Sequence, residues 1–213
     1  MSEGVWMLDP DRVYIDADVT LESGVHLHPD VQLRGSTVVR SGAEVGPNVV
    51  ADDCEIGANA RVLYAVMSQA RCGENASVGP FAYLRPGAEL AERAKAGTFV
   101  ELKNTKVGPN SKVPHLSYMG DATIGVDSNI GAGTITCNYD GYEKHATVVG
   151  DRVKIGSDTM LVAPVEIGDD GWTAAGSVIV KDVPPGSLGV SRSPQKEVAG
   201  YADRRRQRAE REG

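Results

Sequence analysis

Residues 13–45 read VYIDADVTLESGVHLHPDVQLRGSTVVRSGAEV, and aliphatic side chains recur in this stretch every six residues. Two offset series carry the period: Val13, Val19, Val25 and Val31, and Ile15, Leu21, Leu27, Leu33, Val39 and Val45. An amphipathic helix would place apolar residues three and four apart, and an ordinary strand would alternate every two. A period of six is typical of the hexapeptide repeat of parallel β-helices, in which one aliphatic side chain per repeat points inward.

The same period returns, after small slips, through most of the chain, for example from Val78 to Leu102 and from Val149 to Ile167. The sequence therefore predicts an all-β fold, a left-handed parallel β-helix over residues 13–183, with a lead-in over 1–12 and a C-terminal arm over 184–213. A β-sandwich of many short strands is the alternative. The fixed period disfavours it, because hairpin strands vary in length.

Two segments depart from the repeat. Between Cys137 and Thr147 the run includes Asn-Tyr-Asp-Gly, which predicts a short loop projecting from the coil. After Pro184-Pro185-Gly186 the pattern ends, and residues 196–212 predict a polar helix with an arginine cluster. Acidic residues intersperse the arginines and aromatic stacking partners are few, so we expect a solvated tail rather than a nucleic-acid patch.

Composition narrows the function classes. The 213 residues carry a formal net charge of −7, which argues against non-specific nucleic-acid binding. The N-terminus, which begins Met-Ser-Glu-Gly, lacks the basic and apolar regions of an export signal, and no apolar stretch approaches the length of a membrane span, so we expect no membrane partner. The three cysteines have neither CxxC nor Cys/His spacing, which indicates a reduced, cytoplasmic protein without a zinc site.

Charged and proton-transferring residues collect between Tyr83 and Arg192. Arg85 and Lys103 are eighteen residues apart, so they stack on one face if three hexapeptides make a coil, and such a cation pair suits a phosphate. His115 follows Pro114 and stands three residues before Tyr118. An imidazole can accept a proton from an amine near neutral pH, so His115 is a candidate base. A structural histidine is the alternative.

The run Gly131-Ala-Gly-Thr-Ile-Thr-Cys-Asn-Tyr-Asp-Gly141 is very specific, and it occurs with Pro114-His-Leu-Ser-Tyr118, Gly156-Ser-Asp-Thr159 and Ala163-Pro-Val165. Together these motifs resemble the C-terminal acetyltransferase domain of the bacterial bifunctional N-acetylglucosamine-1-phosphate uridyltransferase/glucosamine-1-phosphate acetyltransferase family. The resemblance covers residues 5 to 195, about nine-tenths of the chain, and runs without gaps from Arg85 to Arg192.

The resemblance implies that His115 is the general base that deprotonates the sugar amine. The implied sugar-phosphate contacts are Arg85, Lys103, Tyr118, Asn129 and Lys144. The implied contacts to acetyl-CoA, the co-substrate, are Ala132, Asn138, Tyr139, Ser157, Ala175 and Arg192. It further implies acetyl transfer to glucosamine 1-phosphate for UDP-N-acetylglucosamine and cell-wall precursor synthesis, no metal for that step, and a homotrimer with active sites between subunits.

One departure from the family pattern concerns its nucleotidyltransferase half, which uses a Gly-rich nucleotide loop and Mg²⁺. This sequence has no such loop, so we expect no uridyl transfer from it. Two rival functions remain open: another hexapeptide acyltransferase for a different amino sugar, and a non-catalytic β-helix that serves as an assembly scaffold. The joint presence of His115, Tyr118 and Lys144 disfavours the scaffold, which would need the aliphatic ladders alone.

Overall fold

The computed structural model of the protein describes residues 4–212. Short parallel strands follow one another around a three-sided prism, and each strand pairs with the equivalent strand of the next coil. The predicted left-handed parallel β-helix is confirmed. Each side of the prism is one sheet, and we call the three sides faces A, B and C in the order in which the chain visits them.

The strands of face A form seven hydrogen-bonded rungs, which isolated bridges at Asn129 and Lys154 continue to a last strand pair. They are Trp6–Met7, His26–Leu27, Glu44–Val45, Arg61–Val62, Ser77–Val78, Lys95–Thr98, Lys112–His115, Trp172–Thr173 and Leu188–Gly189.

Face B has ten rungs and face C nine. The face B strands are Val13–Ile15, Val31–Arg34, Val49–Asp52, Ala65–Ser68, Ala82–Leu84, Glu101–Lys103, Tyr118–Gly120, Ile135–Cys137, Met160–Val162 and Val178–Ile179. The face C strands are Thr20–Leu21, Val38–Val39, Glu55–Ile56, Arg71–Cys72, Glu89–Leu90, Lys106–Val107, Ala122–Ile124, Thr147–Val149 and Val165–Ile167.

The aliphatic residues that recur every six positions are the side chains that point into the prism. Leu27 and Val45 on face A, Leu33 on face B and Val39 on face C are all completely buried, and the aliphatic residues above them continue the same ladders. Every rung is parallel and in register, so each coil covers the apolar interior of the one before it. The core is therefore a thin aliphatic column along the axis of the prism, and sites can only lie outside it.

The ladders reach beyond the range that the repeat predicts. Trp6–Met7 pairs with His26–Leu27, inside the predicted lead-in, and Leu188–Gly189 pairs with Trp172–Thr173, inside the predicted arm. These outer rungs carry half-exposed or exposed side chains, so the aliphatic period does not mark them. Residues 1–3 of the lead-in and residue 213 of the arm lie outside the described residues.

The predicted projecting loop and C-terminal helix are both present. The loop fills the corner between Ile135–Cys137 and Thr147–Val149. The helix covers Tyr201–Glu212, a start five residues later than predicted, because Gly200 adopts a left-handed φ of +67° just before it. A 3₁₀ turn at Pro10–Arg12 precedes the first face B strand. Within residues 4–212 no helix has the length and apolarity needed to cross a membrane.

Candidate active site

Arg85 and Lys103 stack on adjacent coils, as their spacing predicts. The register pairs Leu84 with Leu102, so the two cations follow one another at the corner where face B turns into face C. We call this the B/C corner, and the corner between faces A and B the A/B corner. Tyr118 lies one coil further on, on face B, opposite Glu101. Three of the predicted sugar-phosphate contacts therefore share one side of the prism.

Each of the two cations has a carboxylate partner that the sequence analysis did not single out. Arg85 Nη1 donates to Glu101 Oε1 at 2.8 Å, in a pair that is well exposed to solvent. Lys103 Nζ donates to both oxygens of Asp121, at 2.8 and 3.1 Å, and those two side chains retain only 20% and 13% of their exposure. The hydrogen bond to Asp121 raises the pKa of Lys103, so its ammonium stays charged.

Asp121 is the centre of a polar cluster at the B/C corner. Besides the hydrogen bonds from Lys103, its carboxylate accepts hydrogen bonds from Asn104 Nδ2 at 2.7 Å and from Asn138 Nδ2 at 2.6 Å. Burial by itself would raise the pKa of Asp121, but the hydrogen bonds from these three neighbours outweigh it and hold that pKa below its ordinary value. The spacing could have revealed this residue, because Asp121 follows Lys103 by the same eighteen residues that separate Lys103 from Arg85.

Gly120 brings Tyr118 and Asn138 together. A Cβ at this position would collide with the Tyr118 hydroxyl and would lie 2.7 Å from Asn138 Nδ2. The missing side chain therefore leaves the space in which a phenol and an amide approach the same point of the backbone. Asn138 itself is almost fully buried, although it begins the projecting loop.

His115 ends the face A strand Lys112–His115, at the A/B corner. Its carbonyl oxygen accepts hydrogen bonds from Ser117 Oγ at 2.7 Å and from the Gly133 N–H at 3.2 Å. In the preceding coil, Gly97 allows Pro114 to approach closely, because a Cβ at position 97 would collide with the Pro114 carbonyl. Among residues 4–212 the imidazole has no hydrogen-bond or ion-pair partner, and the residue is exposed. The backbone is held while the side chain stays available for proton transfer.

Four of the six predicted acetyl-CoA contacts form a column along the A/B corner beyond His115. The chain passes this corner once per coil, and Asp158 N–H donates to the Ala132 carbonyl and Gly176 N–H to the Ser157 carbonyl. Arg192 then reaches back to the Ala175 carbonyl at 2.7 Å. Ala132, Ser157, Ala175 and Arg192 thus lie on four successive coils in one line that begins at His115.

The remaining two, Asn138 and Tyr139, lie in the projecting loop at the B/C corner, together with Lys144. Tyr139 and Lys144 face each other across an antiparallel bridge. Asp140 braces the loop tip, since its carboxylate accepts the N–H groups of Tyr142 and Glu143 at 2.8 Å each and His145 Nε2 at 2.7 Å. His145 is therefore engaged within the loop.

Asn129 is not brought to this cluster. It lies on face A, where bridges connect it to Lys112 on one side and Lys154 on the other. It lines an open groove of about 570 Å³ together with these two lysines and Arg93. Within a single chain, the predicted site residues are therefore divided between face B with its two corners and a different face of the prism.

No family model matches the chain. Curated proteins match nearly all of it: it is 53% identical over 206 residues to bifunctional protein GlmU of Streptomyces avermitilis, a stretch that covers 97% of this chain and 43% of that protein. The corresponding protein of Nocardia farcinica is 52% identical over 97% of this chain and 42% of its own length. That of Carboxydothermus hydrogenoformans is 49% identical, with 94% and 45% covered.

The resemblance that the motifs predict is thereby confirmed, and the chain spans less than half the length of these relatives. Among solved structures, LpxA from Acinetobacter baumannii superposes with a TM-score of 0.63 at 17% identity, covering 92% of this chain and 76% of that one. At this identity the likeness concerns the fold alone.

Proposed function

We propose that this chain transfers the acetyl group of acetyl-CoA to the amine of glucosamine 1-phosphate. The observation that carries the proposal is the arrangement around face B: a histidine whose ring has no partner among residues 4–212 lies at one corner, a cluster with two stacked cations lies at the other, and a column of predicted acetyl-CoA contacts leads away from the histidine. The identity of about half with bifunctional GlmU proteins over nearly the whole chain supports the same reaction.

The chemistry assigned to these residues is an acyl transfer without an enzyme-bound intermediate. His115 removes a proton from the sugar amine as its nitrogen attacks the thioester carbonyl, and the carbon–sulfur bond breaks as the amide forms. The departing CoA thiolate takes up the proton that His115 removed from the amine, which returns the imidazole to its neutral form. Arg85 and Lys103 bind the phosphate, and Asn138 or a nearby backbone N–H stabilises the oxygen that gains negative charge. The proposal assigns no metal to this step.

We further propose that the active unit is a homotrimer. A prism whose described residues enclose only a filled aliphatic core cannot bury most of a ligand, whereas clefts between prisms can. Face B supports this assembly, since its outward side chains include the exposed apolar residues Val66, Tyr83 and Val178, which a neighbouring prism would cover. The outward side chains of face C include ion pairs such as Arg71–Glu55. The position of Asn129 on face A gives a second argument, because a neighbour's face A would have to supply it.

An aromatic ladder on the A/B corner adds to this argument. The rings of Tyr64, Phe81 and Phe99 follow one another with centroids 5.4 Å apart, the first pair tilted by 44° and the second stacked, and Leu116 follows them. All four are exposed and adopt left-handed φ values between +46° and +58°, a conformation that bulky side chains rarely take. Both phenylalanines of the sequence belong to this exposed aromatic ladder. A second and a third copy packed along this corner would cover it.

We place the protein in a reducing compartment, the cytoplasm. Cys54, Cys72 and Cys137 are all free thiols, two of them buried in the coil. Burial raises the pKa of the Cys72 thiol to about 12, so it packs as a neutral side chain. Such thiols are typical of proteins that are kept reduced.

The test is a thiol-release assay with acetyl-CoA and glucosamine 1-phosphate, with glucosamine 6-phosphate as the matched control. We expect release of CoA only with the 1-phosphate, together with formation of N-acetylglucosamine 1-phosphate. Equal rates with the two sugars would indicate a broader amino-sugar acyltransferase. No release with either sugar would refute the proposed activity and leave the assembly scaffold.

A further inference from the structure

We propose that Asp121 is the positioning residue of the site, which fixes Lys103 and Asn138 in the orientations that the two substrates require. The inference rests on the proposed function. Lys103 belongs to the sugar-phosphate side of the proposed site and Asn138 to its acetyl-CoA side. Asp121 contacts both, at 2.8 Å and 2.6 Å.

The turn alone does not explain an aspartate at this position. Asp121 has a φ of +51°, and the left-handed positions of the same corner in other coils hold different residue types, namely Asp53, Gln69 and Asn104. Aspartate and asparagine both tolerate this conformation. Its backbone is tied down on both sides, since its N–H donates to the Lys103 carbonyl at 3.0 Å and its carbonyl accepts the Thr147 N–H at 3.1 Å. An asparagine would keep these bonds and would lose only the carboxylate.

The carboxylate is needed because every neighbour is a donor. Lys103 can only donate, and its Nζ lies within hydrogen-bond distance of both oxygens of Asp121, at 2.8 and 3.1 Å. Asn104 and Asn138 each present an amide N–H to the remaining lone pairs. An amide at position 121 would offer one acceptor in place of two, and its own N–H group would face donors.

The same contacts connect the two halves of the site. Lys103 stands at the end of one face B strand, and Asn138 begins the projecting loop two coils away. The coil between them supplies Asp121, and Gly120 beside it leaves space for the Asn138 amide and the Tyr118 hydroxyl. Because one carboxylate sets the direction of both donors, the position of the phosphate and that of the thioester are fixed relative to one another.

The variant Asp121→Asn tests this role. We expect kcat/KM to fall by roughly 10- to 100-fold, the usual effect of losing the support of a site residue. Asp170→Asn is the matched control: Asp170 has a φ of +56° and holds Arg152 in an exposed pair at 2.8 Å, at the corner between faces C and A. The control should stay within about twofold of the wild type.

A double-mutant cycle separates positioning from general destabilisation. If Asp121 acts through Lys103 and Asn138, then adding Asp121→Asn to the Lys103→Ala/Asn138→Ala variant should change kcat/KM by less than about twofold. A full 10- to 100-fold further loss in that background would overturn the proposal. Should Asp121→Asn not fold, Asn104→Gly keeps the left-handed turn and removes one of the donors to Asp121. It should lower kcat/KM in the same direction by a smaller factor, and no change would count against the role.

The rate of the wild-type protein distinguishes a failure of the proposed acetyl transfer from a failure of the proposed role of Asp121. A wild-type protein without acetyl transfer would refute the proposed function, and crystal structures of the wild type and of Asp121→Asn then test the positioning directly. We expect Lys103 Nζ and Asn138 Nδ2 to leave their places beside residue 121 in the variant. If both atoms stay, Asp121 does not orient them and the inference fails.

Discussion

At the scale of single residues, His115 owes its place to backbone contacts alone. The close approach allowed by Gly97 and the hydrogen bonds from Ser117 and Gly133 hold its main chain. The exposed imidazole can therefore be removed without taking a packed group out of the core.

We expect His115→Ala to lower kcat by about 10²–10⁴-fold, the usual contribution of a general base, with an unchanged melting temperature. Steady-state thiol release and thermal unfolding measure the two quantities. His26→Ala is the control, since His26 is an exposed residue of an early face A strand that stacks on Trp6 at 5.2 Å. If His115→Ala keeps more than half of the wild-type turnover, the assignment of the base is wrong.

At the scale of the elements, the projecting loop depends on one carboxylate. Hydrogen bonds from the Glu143 backbone, His145 and the Tyr142 backbone hold the pKa of Asp140 well below its ordinary value. A carboxyl whose pKa is lowered in the folded state stabilises that state fully above its unfolded pKa of about 3.9, and the stabilisation is lost progressively as pH falls from that value through the lower folded-state pKa. The loop should therefore be ordered at neutral pH and loosen in acid.

The variant Asp140→Ala tests this dependence. At pH 7 we expect the amide protons of Tyr142 and Glu143 to lose protection against hydrogen exchange, while those of the neighbouring coils keep theirs. The difference from the wild type should shrink as pH falls from about 3.9 toward the lowered pKa of Asp140 in the folded loop, because the opened loop then binds a proton that the closed loop does not yet bind. Glu143→Ala serves as the control within the same loop. Equal protection in Asp140→Ala and the wild type at pH 7 would show that Asp140 does not brace the loop.

The regular elements could be predicted from sequence, and the reasons are specific. Each coil repeats the same demand for one inward aliphatic residue per side, so Leu27, Leu33 and Val39 already fix the three faces. The stacking of Arg85 on Lys103 follows from the same count. The same count leads to Asp121 but does not mark it as a site residue, because a lone acidic residue at a turn also suits a corner that carries no site. The six-residue period does not predict that Asn129 lies on face A, because the face depends on the number of residues in each preceding corner, and that number varies.

At the scale of the whole molecule, the aromatic ladder predicts where copies meet. Phe99→Asp should convert the proposed trimer to monomers, because it would introduce a charge into a contact that is otherwise apolar. Aspartate tolerates the left-handed φ of +55° at this position better than phenylalanine does, so the fold of the coil should be unchanged. Light scattering gives the mass. Tyr201→Asp, which alters an exposed aromatic of the C-terminal helix, should leave it unchanged. A Phe99→Asp protein that remains trimeric would exclude the ladder from the interface.

The division of site residues between faces leads to a prediction about shared active sites. Lys103 lies at the B/C corner and Asn129 on face A of the same prism, so one substrate can contact both only if they come from different chains. Lys103→Ala and Asn129→Ala proteins should each be impaired as separate trimers.

Unfolding the two variants together and refolding them as mixed trimers should recover activity. A site is intact when its Lys103 comes from the Asn129→Ala chain and its Asn129 from the Lys103→Ala chain, which in an equal mixture occurs at about one site in four under cyclic symmetry. The matched control mixes Arg85→Ala with Lys103→Ala. These residues stack on adjacent coils at the same corner, so each variant chain spoils its own contribution and no mixed site is complete. Recovery in the first mixture alone would locate the active site between chains. Equal recovery in both mixtures, or in neither, would show that the two faces do not meet around one substrate.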